Sequence, residues 1–395
     1  MEILTASWVL PVAGPPVARG GVAIDGGRIV WVGGRGDPGE PEGPVRDLGE
    51  GVILPGLVNA HCHLEFSHLA GRIAFGGGFV PWVEGVVESR GRFTDDDTRA
   101  AAAEAVRFLE EHGTAAVGDV SNTLDHLDLL AASSLSAVVF LELLAWDPAK
   151  ADATLAWAEA RLSAVAPSLR SGLEVRLAAH APHSVSPTLL GRLVERGGPA
   201  AIHLAESPDE AAFLARGGGE WRSFLEGRGL GHVEFTPSGG SPVFYVERLG
   251  VLHPRLVAAH AVQVGAADRE LLARRGVSVV LCPRSNRNLG VGTADAPAFL
   301  AAGVRLALGT DSLASVETLD VLDDAVLLHR QFPDLDPGAI VRMATLGGAE
   351  ALGLADLGAI VPGKRAALAF APGRTADPCA LLLSGDVRPR PLEVG

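Results

Sequence analysis

Eight short apolar runs recur along this 395-residue chain, separated by segments with helical periodicity, and several of the runs stop at a histidine or an aspartate. The runs cover residues 52–58, 115–120, 137–143, 173–179, 200–204, 256–259, 277–281 and 304–308. Strands that are apolar on both faces and alternate with helices predict a parallel sheet covered on both sides. Eight such β-α units in about 300 residues fit an α/β fold of the closed (β/α)8 TIM type, with its chemistry at the C-terminal strand ends. The alternative, an open doubly wound sheet, rarely gathers polar residues from strands so far apart in sequence. The intervening helices carry their own signals. Thr94-Asp-Asp-Asp97 reads as a capping box and His112-Gly113 as a stop. Ser186-Pro187 and Ser207-Pro208 each pair an N-cap with proline at the first helical position, and Arg275-Gly276 closes a helix.

The polar strand ends define the chemistry. Residues two apart on a strand share a face, so His61-Cys-His63 aims two imidazoles into one volume. The runs ending at His203, His260 and Asp311 repeat the pattern. His61, His63, His203 and Asp311 therefore offer three imidazoles and a carboxylate to one divalent metal, Zn²⁺ or Fe²⁺. A catalytic site keeps an open position for water, whose pKa a bound cation can lower from 15.7 to about 7. Glu206, three residues after His203, is expected to relay a proton, although an acid in the first turn of a helix is also favoured by the macrodipole. His260 is expected to bind the metal weakly or to hold the water. His180 ends the fourth run and competes between substrate contact and a structural role. His183 is open between the same two roles, whereas His68, His112, His126, His232, His253 and His329 read as ordinary core or surface residues.

Both ends of the chain differ from the middle. Residues 22–32 alternate around Asp25-Gly-Gly27, a hairpin signature, and residues 358–370 are again short, strand-like and punctuated by Gly and Pro. Residues 1–55 and 356–395 are expected to build one composite β-sandwich beside a catalytic barrel of 56–355. Helical pattern is expected over 316–332 and 337–352.

Composition limits the remaining functions. A net charge of −14 argues against nucleic-acid or anionic-membrane partners, which reward basic surfaces. Three widely spaced cysteines imply no disulfide framework. The chain shows no apolar stretch of about 18 residues and no basic leader at Met1, so a cytoplasmic location is expected. The Pro-Cys-x-x-Cys pair of a cytidine-deaminase zinc site is missing as well.

Pro55-Gly-Leu-Val-Asn-Ala-His61-Cys-His63, His203-Leu-Ala-Glu206, His260, Gly309-Thr-Asp311 and the Gly358…Gly363-Lys364 tail together resemble the amidohydrolase superfamily over nearly the whole chain. The tail departs from the family only in Ala366-Ala367, where Ala-Asp is usual. The His-x-x-Glu after the fifth run and Ser285-Asn286 after the seventh are similar to its mononuclear deaminases of purine-like rings. The fourth strand offers no bridging Lys or Glu, which implies a single metal. His63-Leu-Glu65-Phe-Ser67, Trp82 with Arg90, and Cys282-Pro-Arg284-Ser-Asn286 resemble the aminodeoxyfutalosine deaminase branch of menaquinone biosynthesis.

The resemblance implies an aminohydrolase acting on a cyclic amidine, converting 6-amino-6-deoxyfutalosine to futalosine and ammonia. In that scheme Asp311 deprotonates water oriented by His260, and Glu206 protonates the ring. His180, Asn286 and Ser315 would contact the base side. Glu65, Trp82 and Arg90 would face the ribosyl side, and Arg90, Arg284 or Arg287 would pair with a substrate carboxylate. The partner implied is a small nucleoside, with room for a homodimer. Rival substrates are S-adenosylhomocysteine or methylthioadenosine, guanine and s-triazines. A rival of another class is a catalytically silent, amidohydrolase-like binding protein.

Overall fold

A computed structural model describes residues 1–394. Eight strands form its centre: β1 (Leu57–Cys62), β2 (Thr114–Ser121), β3 (Ser136–Leu143), β4 (Leu173–Ala179), β5 (Ala201–Leu204), β6 (Val257–His260), β7 (Ser278–Leu281) and β8 (Arg305–Leu308). They pair in sequence order as two four-stranded parallel sheets, β1–β4 and β5–β8. Backbone hydrogen bonds link the two sheets. The Ala200 and His203 N–H groups donate to the Leu177 and His180 carbonyls, both at 2.8 Å. At the other edge, Thr310 and Asp311 N–H both donate to the His61 carbonyl at 3.0 Å.

Period-two packing explains the unbroken apolar runs. Val138 and Phe140 of β3 join a buried cluster with Val58, Val120, Val257 and Val280. Val139 and Leu141, on the opposite face, pack instead among helical residues such as Leu109, Leu155 and Leu189. Both faces of β3 are dry, and a buried polar residue inside a central strand is paired, as Asn59 is with Thr310 and Asp119 with His126. The helix signals hold at the residue level. Thr94 and Asp97 form a capping box, and Ser186 and Ser207 cap helices that begin with proline. Gly276 closes its helix in the left-handed conformation.

Three segments differ from the sequence expectation. The run 52–58 is not one strand. Gly51–Pro55 pairs antiparallel with Leu368–Pro372 in a separate sheet, and the chain breaks at Gly56 before β1 begins. A Cβ at Gly56 would lie 2.5 Å from the Ala115 Cβ, so the chain passes there only as glycine. The helix expected from residue 316 starts at Val321, because Asp320 accepts from Leu322 N–H and caps it. The 337–352 segment divides into Pro337–Met343 and Leu346–Leu352.

The terminal segments form two further sheets. One contains Glu2–Thr5, Gly20–Asp25, Arg28–Gly34 and Val45–Asp47, while the other joins three N-terminal strands to Leu368–Pro372 and Arg390–Pro391. Leu4, Val22, Ile53, Ile360 and Leu368 share one apolar cluster, so the two ends of the chain meet. Among the described residues no helix is long and apolar enough to cross a membrane.

Gly309 sits where β8 approaches β1. A Cβ there would lie 2.7 Å from both the Cβ and the carbonyl oxygen of His61. Gly309→Ala should cost about 1–3 kcal/mol of stability and lower the thermal midpoint by several degrees. An unchanged midpoint would show that this approach has room to spare.

Candidate active site

Every polar residue of the cluster stands at or just beyond a C-terminal strand end. His61 closes β1 and His63 follows it, while His203 lies on β5, His260 ends β6 and Asp311 follows β8. The backbone turns sharply there. Ala205, His260, Ala261 and Asp311 all have positive φ, a conformation that costs non-glycine residues of order 1 kcal/mol or more and that gathers at functional sites. The turns bring the side chains together. His63 Nε2 lies 3.3 Å from His203 Nε2 and 3.4 Å from Asp311 Oδ1, and His61 Nε2 lies 3.9 Å from Asp311 Oδ1. Candidate ligand atoms of His61, His203 and His260 lie within 4.8 Å of one another, as do those of His61, His63 and Asp311.

The chemistry of this donor set fits a divalent cation. His61 Nε2 and His260 Nε2 are buried without a hydrogen-bond partner, an arrangement costly to the fold unless something accepts their lone pairs. Burial, followed by repulsion from the neighbouring imidazoles, holds His61 and His63 well below the usual histidine pKa, and burial brings His203 down to about 4. Neutral imidazoles are the form a metal requires. Their outer nitrogens are tied down: His203 Nδ1 donates to the His180 carbonyl and His260 Nδ1 to Asn286 Oδ1, both at 3.0 Å. Those bonds leave Nε2 of each ring as the free lone pair.

Two carboxylates face the cluster with opposite tendencies. Burial works against ionised Asp311, but His260, His61 and a hydrogen bond from Ser285 outweigh it, and its pKa lies below the usual value. Ser285 and Ser315 hydroxyls both donate to Asp311 Oδ2, at 2.6 and 3.1 Å. Glu206 is pushed well above the usual range by burial and by the Asp311 charge. Its position follows from Glu210, which accepts the Ala205 and Glu206 N–H groups at 2.9 and 2.8 Å. Glu210 was legible in principle, as the fourth residue of Ser207-Pro-Asp-Glu210, a capping-box spacing.

A cavity of about 370 Å³ opens above the cluster, with His63, His203, Glu206, His260 and Asp311 in its wall. Trp82, Arg90 and His180 also line it, as expected from sequence. Five other residues expected to touch substrate do not line it. Asn286 is spent on His260, and Ser315 on Asp311. Glu65 lies behind the wall, accepting from the Ser121 hydroxyl at 2.8 Å and Asn122 N–H at 2.9 Å, and stands 3.6 Å from Arg90. Arg284 is buried away from the cavity. Its Nε donates to Asp324 Oδ2 at 2.9 Å, and its remaining nitrogens serve Thr318 and the Asp320 carbonyl. Arg287 is exposed and bonds only its neighbour Asn288.

The sequence reading missed a carboxylate of the cavity wall. Glu142 is buried at the end of β3, accepts from Asn122 Nδ2 at 2.8 Å and lies 3.4 Å from His203 Nδ1. The signal was a lone carboxylate inside an otherwise apolar strand, Val139-Phe-Leu-Glu142-Leu.

A model of the Amidohydrolase family matches residues 52–382. An aminodeoxyfutalosine deaminase from Deinococcus radiodurans is 36% identical over 365 residues, spanning 89% of this chain and 86% of that protein. The crystal structure of Helicobacter pylori aminofutalosine deaminase in complex with methylthio-coformycin superposes with a TM-score of 0.86 at 25% identity, covering 99% of this chain and 97% of that one. An adenosine deaminase from Xanthomonas campestris, solved with bound zinc, gives a TM-score of 0.81 at 27% identity over 97% of this chain and 88% of its own.

The Arg284 environment makes a separate prediction. Removing one partner of a buried ion pair strands the other charge, which typically costs 3–5 kcal/mol. Arg284→Met should therefore lower the unfolding free energy by that order, read from denaturant unfolding, because Asp324 is left buried and unpaired. A variant of wild-type stability that fails only in substrate affinity would return Arg284 to the substrate.

Proposed function

The chain belongs to the amidohydrolase family, and within it we propose a hydrolytic deaminase that converts 6-amino-6-deoxyfutalosine to futalosine and ammonia. The observation that carries this reading is the buried imidazole cluster with Glu206 and Asp311 beside it, at the wall of a cavity of about 370 Å³. The Deinococcus radiodurans aminodeoxyfutalosine deaminase supports the substrate. We also read the two central sheets as halves of one (β/α)8 barrel spanning 56–355, and the outer sheets as a composite sandwich of 1–55 and 356–395. The hydrogen bonds along both edges of the central sheets and the shared outer cluster support that division.

His61, His63, His203 and Asp311 would hold one divalent cation, and zinc in the Xanthomonas campestris structure favours zinc over iron. Bound there, such a cation supplies Lewis acidity and makes water a competent nucleophile at neutral pH.

The chain's own groups handle the protons. Asp311 takes one proton from the attacking water, while His260, its ring fixed by Asn286, accepts a hydrogen bond at Nε2 and orients that water. The water oxygen bonds to the amine-bearing carbon of the purine as protonated Glu206 gives its proton to the adjacent ring nitrogen. Collapse reverses the roles. Glu206 recovers a proton from the new hydroxyl, Asp311 passes its proton to the amine, and the C–N bond breaks to release ammonia. Microscopic balance needs an acid and a base that coexist at one pH, and the opposed shifts of Glu206 and Asp311 supply them. His180 and Trp82 line the cavity where the ring and its sugar would lie.

Ammonia release should be measured on zinc-loaded protein with 6-amino-6-deoxyfutalosine, S-adenosylhomocysteine, 5′-methylthioadenosine, adenosine and guanine. The first should have the highest kcat/KM. Glu206→Gln should retain metal and thermal midpoint yet lose kcat by about 10² or more. A preference for guanine or a plain nucleoside would overturn the substrate, and turnover on none would favour a silent binding protein.

A further inference from the structure

The catalytic cavity does not end at the nucleoside site. It shares Arg90, Asn122, Glu142, Leu144 and Lys150 with an adjoining, more open hollow of about 540 Å³, whose far wall is Thr154 and Trp157. Lys150 immediately precedes the helix Ala151–Val165, and Thr154 and Trp157 fall four and seven residues later. That spacing stacks the three side chains on one helix face.

Two features of this hollow lack a structural explanation. Leu144 and Trp157 are each 46% exposed, large apolar side chains turned to water at the mouth of a cavity. Lys150 is one of only two lysines in the chain. The other, Lys364, is spent on the backbone carbonyls of Ala355 and Leu357. No carboxylate of the described residues comes within 4 Å of the Lys150 ammonium. Arg90, the other cation here, is already committed: it donates to Asn122 Oδ1 at 3.1 Å and lies 3.6 Å from buried Glu65.

We propose that Lys150 and Trp157 form a distal subsite that binds an anionic aromatic group appended to the ribose side of the nucleoside. The proposal rests on the nucleoside-deaminase function above and names the part of the chain that would choose among its substrates. The indole face offers a stacking platform, and the ammonium pairs with a carboxylate beside it. Charge also sets the direction of binding. Of the two cations on the cavity wall, Arg90 is held by Glu65 and Asn122, so an appended carboxylate settles at Lys150 by the mouth. The amine end then points inward.

The test uses three substrates on the metal-loaded enzyme: 6-amino-6-deoxyfutalosine, its neutral methyl ester, and 5′-methylthioadenosine, which lacks the arm. Lys150→Met should raise KM for the acid about tenfold more than for the ester or methylthioadenosine, with kcat for the acid changed less than about twofold. Lys150→Arg should recover most of that affinity. Added salt should erode the wild-type preference for acid over ester, because the pair is exposed. Trp157→Ala should raise KM for acid and ester alike, several-fold more than for methylthioadenosine. Equal KM changes across all three substrates, or none, in an enzyme that still prefers the acid would overturn the subsite alone. A wild-type enzyme that turns over methylthioadenosine but not the acid would overturn both the substrate and the subsite.

Discussion

The carbonyl of His61 accepts two backbone hydrogen bonds, from Thr310 and Asp311, each at 3.0 Å. This contact joins the first central strand to the last, and every other feature of the site depends on it. It sets His61 and Asp311 side by side although 250 residues separate them in sequence, and it does so with backbone groups. Gly309 is the residue whose missing Cβ lets β8 come so close. Once the two edges are fixed, the strands between them carry His203 and His260 to the same rim. The positive φ values at Ala205, His260 and Asp311 are the conformational cost of turning those side chains inward.

Burial holds the His61, His63 and His203 imidazoles below the usual histidine pKa, and the two working carboxyl groups are pushed in opposite directions within a few ångströms. The same burial acts on both carboxyls, so the difference lies in the partners. Asp311 faces several imidazoles and two serine hydroxyls, whereas Glu206 has the Asp311 charge against it and its hydrogen-bonding neighbours spent on the backbone. A divalent cation in the cluster would draw both values down, Asp311 the more because it is the nearer. Glu210 matters indirectly: it holds the two peptide groups that aim Glu206, while its own pKa is raised by burial to about 8.

Much of this was legible in the sequence because it is written as period and spacing. Apolar runs of strand length mark both-face burial, and a histidine at the end of such a run has nowhere dry to go except a site. Seven of the eight expected strands lie within a residue or two of their observed limits. The exception, 52–58, failed because a continuous apolar run cannot say where one sheet hands over to another; only Pro55-Gly56 marked the break. Residue type misled more than position did. An arginine after a central strand looks like an anion binder, but Arg284 is consumed by Asp324, which is 40 residues away in sequence. Asn286 and Ser315 were found at the site but facing the side chains they position, a distinction only three-dimensional contacts reveal.

The central claim is that one divalent cation, held by the strand-end imidazoles and Asp311, is required for deamination. Protein stripped by chelation and titrated with zinc, with ammonia release followed at each step, tests it most directly. Activity should be lost on stripping, return in proportion to added metal, and saturate at one equivalent per chain. Saturation at two equivalents, or full turnover by the stripped protein, would contradict the account.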